Sequence, residues 1–401
     1  MLNTILQHIK RPTPSGATYL AEVDGLRFVA IFLVIIQHLS ERMVRFFPTD
    51  FATPLREDVV AFWVSRGTVG VFLFFAISGF VLALPFTEKS TPLSIKSFYS
   101  RRLTRIEPPY LIWMSVFALI LVAKDVFSAT EILPHWLASV TYTNWFFFGD
   151  YSVINPVAWS LEIEIQFYLI APFLAKAYFS IDDWAKRRLG LAIFIGLYIV
   201  LMAKCGWLHF PMKATLLGRL PNFLIGFLVA DLYKFKDFKS LRAFDRLPKL
   251  SSQLRQQLWD IVAIAALFAL FYTWTEELVK TVIFNLALFL LFVAAFKGFF
   301  IKKMLKNNWI AAFGGMCYTI YLTHLPLLEG LIRFTHPITL TNIYALNLLL
   351  QAAFALPIIG GLSIVFYIFI EKPFMRQGKW RWPKIDPKFS FPRFRYPSVF
   401  K

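Results

Sequence analysis

The chain has 401 residues, of which 58% are hydrophobic and only 16% are charged. Soluble domains carry about 45–50% apolar and about 25% charged residues, so this composition excludes an ordinary soluble protein and predicts an all-α bundle of membrane-spanning helices. The net charge of +18 fits an anionic lipid surface or nucleic acid. In a membrane protein we expect contact with membrane lipids and no nucleic-acid partner.

Apolar segments long enough to cross a bilayer recur along the chain. Residues 1–22 form a polar tail, and residues 372–401 form a second tail rich in Lys, Arg, Pro and aromatic residues. The membrane domain at 23–371 contains about ten predicted spans, at 26–45, 68–86, 108–123, 156–178, 189–208, 215–233, 258–274, 278–296, 309–332 and 341–370. The short aromatic segment at 135–148 is predicted to be a re-entrant or interfacial helix.

The distribution of basic residues gives these spans an orientation. With the N-terminus inside, 32 of the 42 Lys and Arg residues fall on the inner side, 9 fall on the outer side, and Arg219 lies within a span. Cytoplasmic loops of membrane proteins carry such an excess of Lys and Arg. We therefore expect a multi-pass membrane protein with both termini in the cytoplasm.

The first span contains an arginine at its start and a histidine well inside, Arg27 and His38. Their separation is almost three helical turns, which puts both side chains on one face and their Cα atoms about 16 Å apart along the axis. An ionisable side chain within a span is costly and indicates a functional site. The alternatives are a positive-inside anchor for Arg27 and a packing histidine for His38.

Three arginines precede the third span, Arg101, Arg102 and Arg105. Arg102 and Arg105 share a helix face, and guanidinium groups bind phosphates through paired hydrogen bonds. The run therefore indicates a phosphate site at the inner mouth of the bundle. Positive-inside anchoring with lipid headgroup contact is the alternative.

Two further ionisable groups lie within predicted spans, Glu164 and His324. We expect both near the depth of His38, with Glu164 orienting a histidine, although a structural hydrogen-bond network between helices would also explain them. Glu162 lies only two residues before Glu164, so the two carboxylates point in nearly opposite directions. The sequence contains no Walker phosphate loop, no metal-ligand spacing and no G-x-S-x-G elbow, and we expect no metal.

Five segments, taken in order, resemble the acyltransferase-3 family of integral membrane acyltransferases. They are DGLR at 24–27 with His38, FFAISGF at 74–80, the Arg102 and Arg105 pair, WSLEIEIQFY at 159–168 and YTIYLTHLP at 318–326. The resemblance covers residues 20 to about 375 and implies ten spans, acetyl-CoA as a cytoplasmic acyl donor, and O-acylation of a surface glycan or lipid-linked glycan. One departure is Glu162, at a position where the family usually has a small or neutral residue.

These observations predict a membrane O-acyltransferase that moves an acyl group, most simply acetyl, from acyl-CoA to an acceptor hydroxyl across the membrane. We expect the CoA phosphates on Arg102 and Arg105, with Arg27 and Arg101 nearby. His38 would then deprotonate the acceptor or take the acyl group itself, Glu164 would orient it, and His324 would shape the acceptor side. A proton-coupled secondary transporter using His38, Glu164 and His324 as a relay is the alternative.

Overall fold

The computed structural model describes residues 2–12, 19–46, 59–87, 94–235, 251–338 and 343–375. All regular elements within these ranges are helices. The α-helices are α1 Leu2–Ile9, α2 Ala21–Phe46, α3 Val59–Val64, α4 Val69–Ala83, α5 Ile95–Ala123, α6 Ala129–Val140, α7 Asn144–Phe148, α8 Ala158–Phe179, α9 Trp184–Lys204, α10 Leu216–Lys234, α11 Ser252–Tyr272, α12 Leu278–Lys297, α13 Phe300–Leu305, α14 Asn308–Gly315, α15 Cys317–Thr335 and α16 Tyr344–Phe366. The predicted basic tail lies outside the described residues from 376 onward.

Seven helical segments in the described chain are long and apolar enough to cross a membrane, or eight if one bent pair counts as a single span. The multi-pass, all-helical prediction is therefore confirmed, whereas the count of ten stays a prediction. The two other predicted spans correspond to α8 and α9, which have 22 and 21 residues but carry charged side chains. In the segment predicted to be re-entrant or interfacial, α6 and α7 have 12 and 5 residues, too few to span alone.

The predicted span at 309–332 is not one straight helix. It consists of α14 and α15, whose axes differ by 74°. The bend at Met316 follows two glycines, and α14 approaches α2 so closely that a Cβ on Gly314 would lie 1.7 Å from the carbonyl oxygen of Asp24. The bend therefore lets α14 pack on the start of α2 while α15 runs beside its later turns.

Close backbone contact also joins α4 and α10. A Cβ on Gly79 would lie 2.0 Å from the carbonyl oxygen of Phe223, and one on Gly226 would lie 2.1 Å from that of Ala76. Small residues at such positions let membrane helices pack without intervening side chains. The pair formed by α4 and α10 is therefore a rigid element of the bundle core.

The buried carboxylate of Asp231 joins α8 and α9 to α10. Asp231 on α10 accepts hydrogen bonds from Arg187 at 2.6 and 2.7 Å, from Arg188 at 2.9 Å and from the hydroxyl of Tyr178 at 2.8 Å. These contacts fix the end of α8 and the start of α9 against α10. We call this end of the bundle, where α2 begins, the proximal end, and the end where α2 finishes the distal end.

Candidate active site

The structure brings the two predicted histidines together. The rings of His38 on α2 and His324 on α15 lie 5.3 Å apart between centroids, with their planes inclined by 37°. His324 is fully buried, whereas 20% of the His38 side chain is exposed. The structure thus forms a histidine pair, His38 and His324, in which one ring is open to a ligand and the other is held in the protein interior.

Glu41, one turn after His38 on α2, orients that histidine. Its Oε2 lies 2.8 Å from His38 Nδ1, and its Oε1 accepts a hydrogen bond from Gln37 at 2.8 Å. Gln37 in turn accepts one from the hydroxyl of Thr68 at 2.7 Å. Because a carboxylate oxygen accepts, the proton of neutral His38 sits on Nδ1, and its Nε2 carries the free lone pair.

Backbone carbonyl groups fix the tautomer of His324 in the same way. Its Nδ1 donates to the carbonyl oxygens of Tyr321 at 2.8 Å and Ile320 at 3.1 Å. The Nε2 atom of His324 is buried and makes no hydrogen bond to any described residue. A buried acceptor without a partner is costly, so this atom is available to a hydroxyl or thiol that enters the site.

Glu164 does not contact His38 within the described structure, which corrects the expected pairing. Its Oε1 accepts a hydrogen bond from the hydroxyl of Ser78 and another, at 2.5 Å, from Tyr168. It lies near enough to Arg27 and Arg102 to interact with both guanidinium groups. Glu164 thus belongs to the arginine side of the site, and Glu41 occupies the position against His38 that we expected for it.

Two of the predicted arginines lie against buried carboxylates at the proximal end. Arg27 Nη1 donates to Asp24 Oδ1 at 2.5 Å, and Arg105 Nη2 lies 3.7 Å from Glu371 Oε1. Thr319 donates to the other oxygen of Glu371 from its hydroxyl at 2.7 Å and from its backbone N–H at 3.1 Å. The Arg27–Asp24 pair lies within α2. Glu371 joins α5, through Arg105, and α15, through Thr319, to the helical segment after α16.

The other two predicted arginines differ in exposure. Arg102 is half-buried, with its guanidinium carbon 4.2 Å above the ring of Phe98 and 5.9 Å above that of Tyr168. Arg101, the residue before it, is exposed. The helix therefore turns Arg102 and Arg105 inward, as their three-residue spacing predicts, and leaves Arg101 at the surface.

One arginine of this region was missed in the sequence. Arg11, in the tail before α2, lies 3.4 Å from Asp24 Oδ1. Burial, together with the neighbouring guanidinium groups of Arg105 and Arg27, lowers the pKa of Arg11 to about 10. We call Arg11, Arg27, Arg102 and Arg105 the arginine centre. Because these guanidinium groups are near one another, an anion that binds among them makes several charge-assisted contacts and gains affinity.

Metal chemistry has no visible support in the described chain, where no three His, Cys, Asp or Glu side chains are grouped so that they could hold an ion. The described residues form an arginine centre near the start of α2 and a histidine pair that includes His38, eleven residues after Arg27. Glu41, Arg11 and Glu371 were absent from the sequence interpretation. The spacing of Glu41, three residues after His38, could have revealed it.

Comparison with known proteins shows which sequences the chain is similar to. The profile of a family described as an acyltransferase domain matches residues 20–369. The chain is 27% identical to the peptidoglycan O-acetyltransferase OatA of Listeria monocytogenes, over 92% of this chain and 58% of that protein. It is 26% identical to the O-acetyltransferase OatA of Staphylococcus aureus, over 90% of this chain and 58% of that protein.

A putative O-acetyltransferase of Staphylococcus aureus strain COL is 24% identical, over 92% of this chain and 60% of the relative. The chain thus spans about three fifths of the length of these curated relatives. No solved structure matches it.

Proposed function

The chain belongs to the acyltransferase-3 family, and we propose on that premise that it is a membrane O-acyltransferase using cytoplasmic acyl-CoA. It transfers the acyl group, most simply acetyl, to a hydroxyl of a glycan or lipid-linked glycan on the other side of the membrane. The observation that carries the proposal is that α2 contributes one residue to each region, Arg27 to the arginine centre and His38 to the histidine pair. Arg27 and His38 lie almost three turns apart on α2, about 16 Å along its axis.

Acyl-CoA has anionic phosphates at one end and an uncharged thioester at the end of a flexible arm. The arginine centre binds the phosphates through charge-assisted hydrogen bonds, with Arg102 and Arg105 facing inward from α5. The arm then follows α2 towards His38. A separation of about 16 Å suits this extended molecule, because it places the thioester beside the histidine pair while the phosphates remain at the proximal end.

The chemical step assigns each histidine nitrogen a task. His38 Nε2 accepts the proton of the acceptor hydroxyl as its oxygen attacks the thioester carbonyl. The carbon–sulfur bond breaks, and the CoA sulfur takes the proton from His38 as it leaves. The products are the O-acyl ester and free CoA, so atoms and charge balance. Glu41 stabilises the transient imidazolium, as a carboxylate does in catalytic triads, and His324 Nε2 accepts a hydrogen bond that positions the acceptor.

A glycan acceptor is supported by the relatives, one of which is named for peptidoglycan O-acetylation. The orientation, with both termini and the arginine centre in the cytoplasm, is supported by the excess of basic residues on the proximal side. A bacterial inner membrane is consistent with that orientation and with the bacterial relatives. Acetyl is the simplest acyl group because the same relatives are O-acetyltransferases.

The proposal is tested with purified protein in liposomes and acetyl-CoA labelled on the acetyl group, with and without a glycan extract. We expect wild type to consume thioester and acetylate the glycan. His38→Ala should lower kcat by about 10²–10⁴-fold while the KM for acetyl-CoA changes little, because only the proton acceptor is lost. His336→Ala, at the C-terminal end of α15, is the matched control and should behave as wild type. Absence of thioester loss in wild type would refute the acyltransferase function.

A further inference from the structure

A cavity opens at the distal end of the bundle. Its lining residues do not include His38 or His324. Its volume is about 740 Å³. The starts of α4, α8 and α10 form its walls, together with the turns after α9 and after α11. This volume is in the range of small-molecule binding sites, which are typically about 300–1,000 Å³. The functional assignments above leave this cavity unexplained.

Aromatic side chains make up much of the cavity wall. They are Phe72, Tyr151, Trp159, Trp207, Trp274 and Phe284. The rings of Tyr151 and Trp159 lie 6.1 Å apart and are inclined by 58°, so they form two sides of a corner. The electron-rich faces of such rings attract the weakly positive C–H groups on the face of a pyranose. The wall therefore suits a sugar better than a flexible lipid chain.

Amide groups provide the hydrogen bonds that hydroxyl groups need. Asn222 and Asn285 both line the cavity and are both buried. Asn222 Nδ2 donates to Asn285 Oδ1 at 3.1 Å, and Asn285 Nδ2 donates to the carbonyl oxygen of Thr281 at 2.9 Å. An amide has two donors and one acceptor with two lone pairs, so each side chain keeps capacity for a ligand.

Arg219 supplies a cation that no carboxylate contacts directly among the residues that the structure describes. Its guanidinium carbon lies 4.4 Å above the ring of Phe72. Its Nε atom is buried without a hydrogen-bond partner, and it forms no ion pair with a carboxylate, among the residues that the structure describes. An unpaired cation within a membrane span is costly, so a ligand that neutralises it gains affinity.

The carboxylates at the mouth of the cavity already have their own cations. Glu276 contacts His209 Nδ1 at 2.6 Å and pairs with Lys213, and the hydrogen bond from Lys213 is the largest of the effects that lower the pKa of Glu276. Burial acts in the opposite direction. Glu277 pairs with Lys280 at 2.9 Å. Among the lining residues, Glu276 and Glu277 balance the charges of Lys213 and Arg219. Because Glu276 pairs with Lys213 and Glu277 pairs with Lys280 outside the wall, Arg219 is left as the lining cation without a paired carboxylate among the described residues.

We propose that this cavity binds an acidic sugar, stacked on the aromatic wall with its carboxylate or phosphate on Arg219. As the acceptor site this inference rests on the proposed function, whereas the binding itself does not. The wall includes Thr68, whose hydroxyl donates to Gln37, which in turn holds Glu41 against His38. A ligand on this wall is therefore three hydrogen bonds from the histidine pair.

The test measures binding to purified protein in nanodiscs by titration calorimetry. The probes are tri-galacturonate with carboxylates, glucose 6-phosphate with a phosphate, neutral chitotriose, and inorganic phosphate without a sugar. We expect the acidic sugars to bind at least about tenfold more tightly than chitotriose, because a charge-assisted pair to a half-buried guanidinium contributes more than a neutral contact. Tri-galacturonate and glucose 6-phosphate distinguish the two kinds of acid, and inorganic phosphate shows whether the sugar is needed.

Variants locate the site. Arg219→Gln should weaken acidic-sugar binding about tenfold and leave chitotriose unchanged, while Arg219→Lys should restore part of the affinity. Lys124→Gln, which removes an exposed cation at the end of α5, is the matched control and should bind as wild type. Trp274→Ala, at the partly exposed rim, should weaken acidic and neutral sugars alike, and it tests the cavity if Arg219→Gln does not fold.

Equal affinity for acidic and neutral sugars, or unchanged acidic-sugar binding in both Arg219→Gln and Trp274→Ala, would overturn the inference. Thioester loss measured on the same preparations separates it from the proposed function. Arg219-dependent binding without any thioester loss would refute the acyltransferase function and leave the sugar site standing. Thioester loss in wild type, together with unchanged acidic-sugar binding in Arg219→Gln, would refute the sugar site and leave the acyltransferase function standing.

Discussion

The arginine centre and the histidine pair share α2, which carries Arg27 and His38, but they are stabilised in opposite ways. The arginine centre contains more cations than carboxylates, and its members pair with Asp24 and Glu371 at distances from 2.5 to 3.7 Å. In the histidine pair, hydrogen bonds on Nδ1 fix each ring. One region is thus built to hold an anion and the other to present lone pairs. Substitutions in the first should change donor affinity, and substitutions in the second should change turnover.

Glu41→Gln gives the largest effect that separates the two regions. The amide no longer stabilises a positive charge on His38, so we expect kcat to fall about 10–10²-fold with an unchanged KM for acetyl-CoA. Glu41→Asp should recover part of the loss, which a merely structural role would not predict. Steady-state kinetics with labelled acetyl-CoA measure both parameters. A rise in the KM for acetyl-CoA instead would assign Glu41 to donor binding and would contradict the division of roles between the two regions.

Arg102→Gln should raise the KM for acetyl-CoA about tenfold and change kcat much less, because it removes a charge-assisted contact to phosphate. Arg101→Gln is the matched control, since Arg101 is the neighbouring arginine and is exposed. It should stay within about twofold of wild type, as surface charges contribute little. Equal effects of both substitutions would mean that general surface charge, rather than the arginine centre, attracts the donor.

Arg11→Gln should raise the donor KM by about threefold, a smaller effect because Arg11 lies at the edge of the arginine centre. Its pKa of about 10 keeps it charged at pH 7–8. As the pH rises through 10, wild type should lose this contribution, and its donor affinity should approach that of Arg11→Gln. Calorimetric titration of CoA at pH 8 and pH 10 measures the difference. Equal donor affinity of the two proteins at pH 8 would exclude Arg11 from donor binding, and a threefold ratio that persists at pH 10 would show that Arg11 is still charged there.

Glu164→Gln should have the smallest effect, and it should lower the KM for acetyl-CoA where the arginine substitutions raise it. Glu164 lies near Arg27 and Arg102, so its removal takes a negative charge away from the phosphate site. We expect the KM for acetyl-CoA to fall about twofold and kcat to change less than in Glu41→Gln. A fall in kcat as large as that of Glu41→Gln would return Glu164 to the histidine pair, as first expected from the sequence.

Helical periodicity predicted the parts of the site that lie on one helix. It placed Arg27 and His38 on one face of α2 and turned Arg102 and Arg105 to the same side of α5. The contacts of Glu164 with Ser78 and Tyr168 were not predicted, because the contact with Ser78 depends on how α8 packs against α4, which no local pattern encodes. Arg11 was missed because its contact with Asp24 depends on the path of the chain before α2. The bend at Met316 was missed because two glycines within an apolar run are also compatible with a straight span.

The separation of the two regions along α2 has an electrical consequence. Moving one elementary charge across a membrane involves about 2.3 kcal/mol per 100 mV of potential. The phosphates stay at the arginine centre, and only an uncharged acyl group passes the three turns to His38. The proton from the acceptor returns to the leaving sulfur, which also lies beside His38. Each turnover of the proposed reaction should therefore move little net charge through the membrane, and its rate should be nearly independent of the membrane potential.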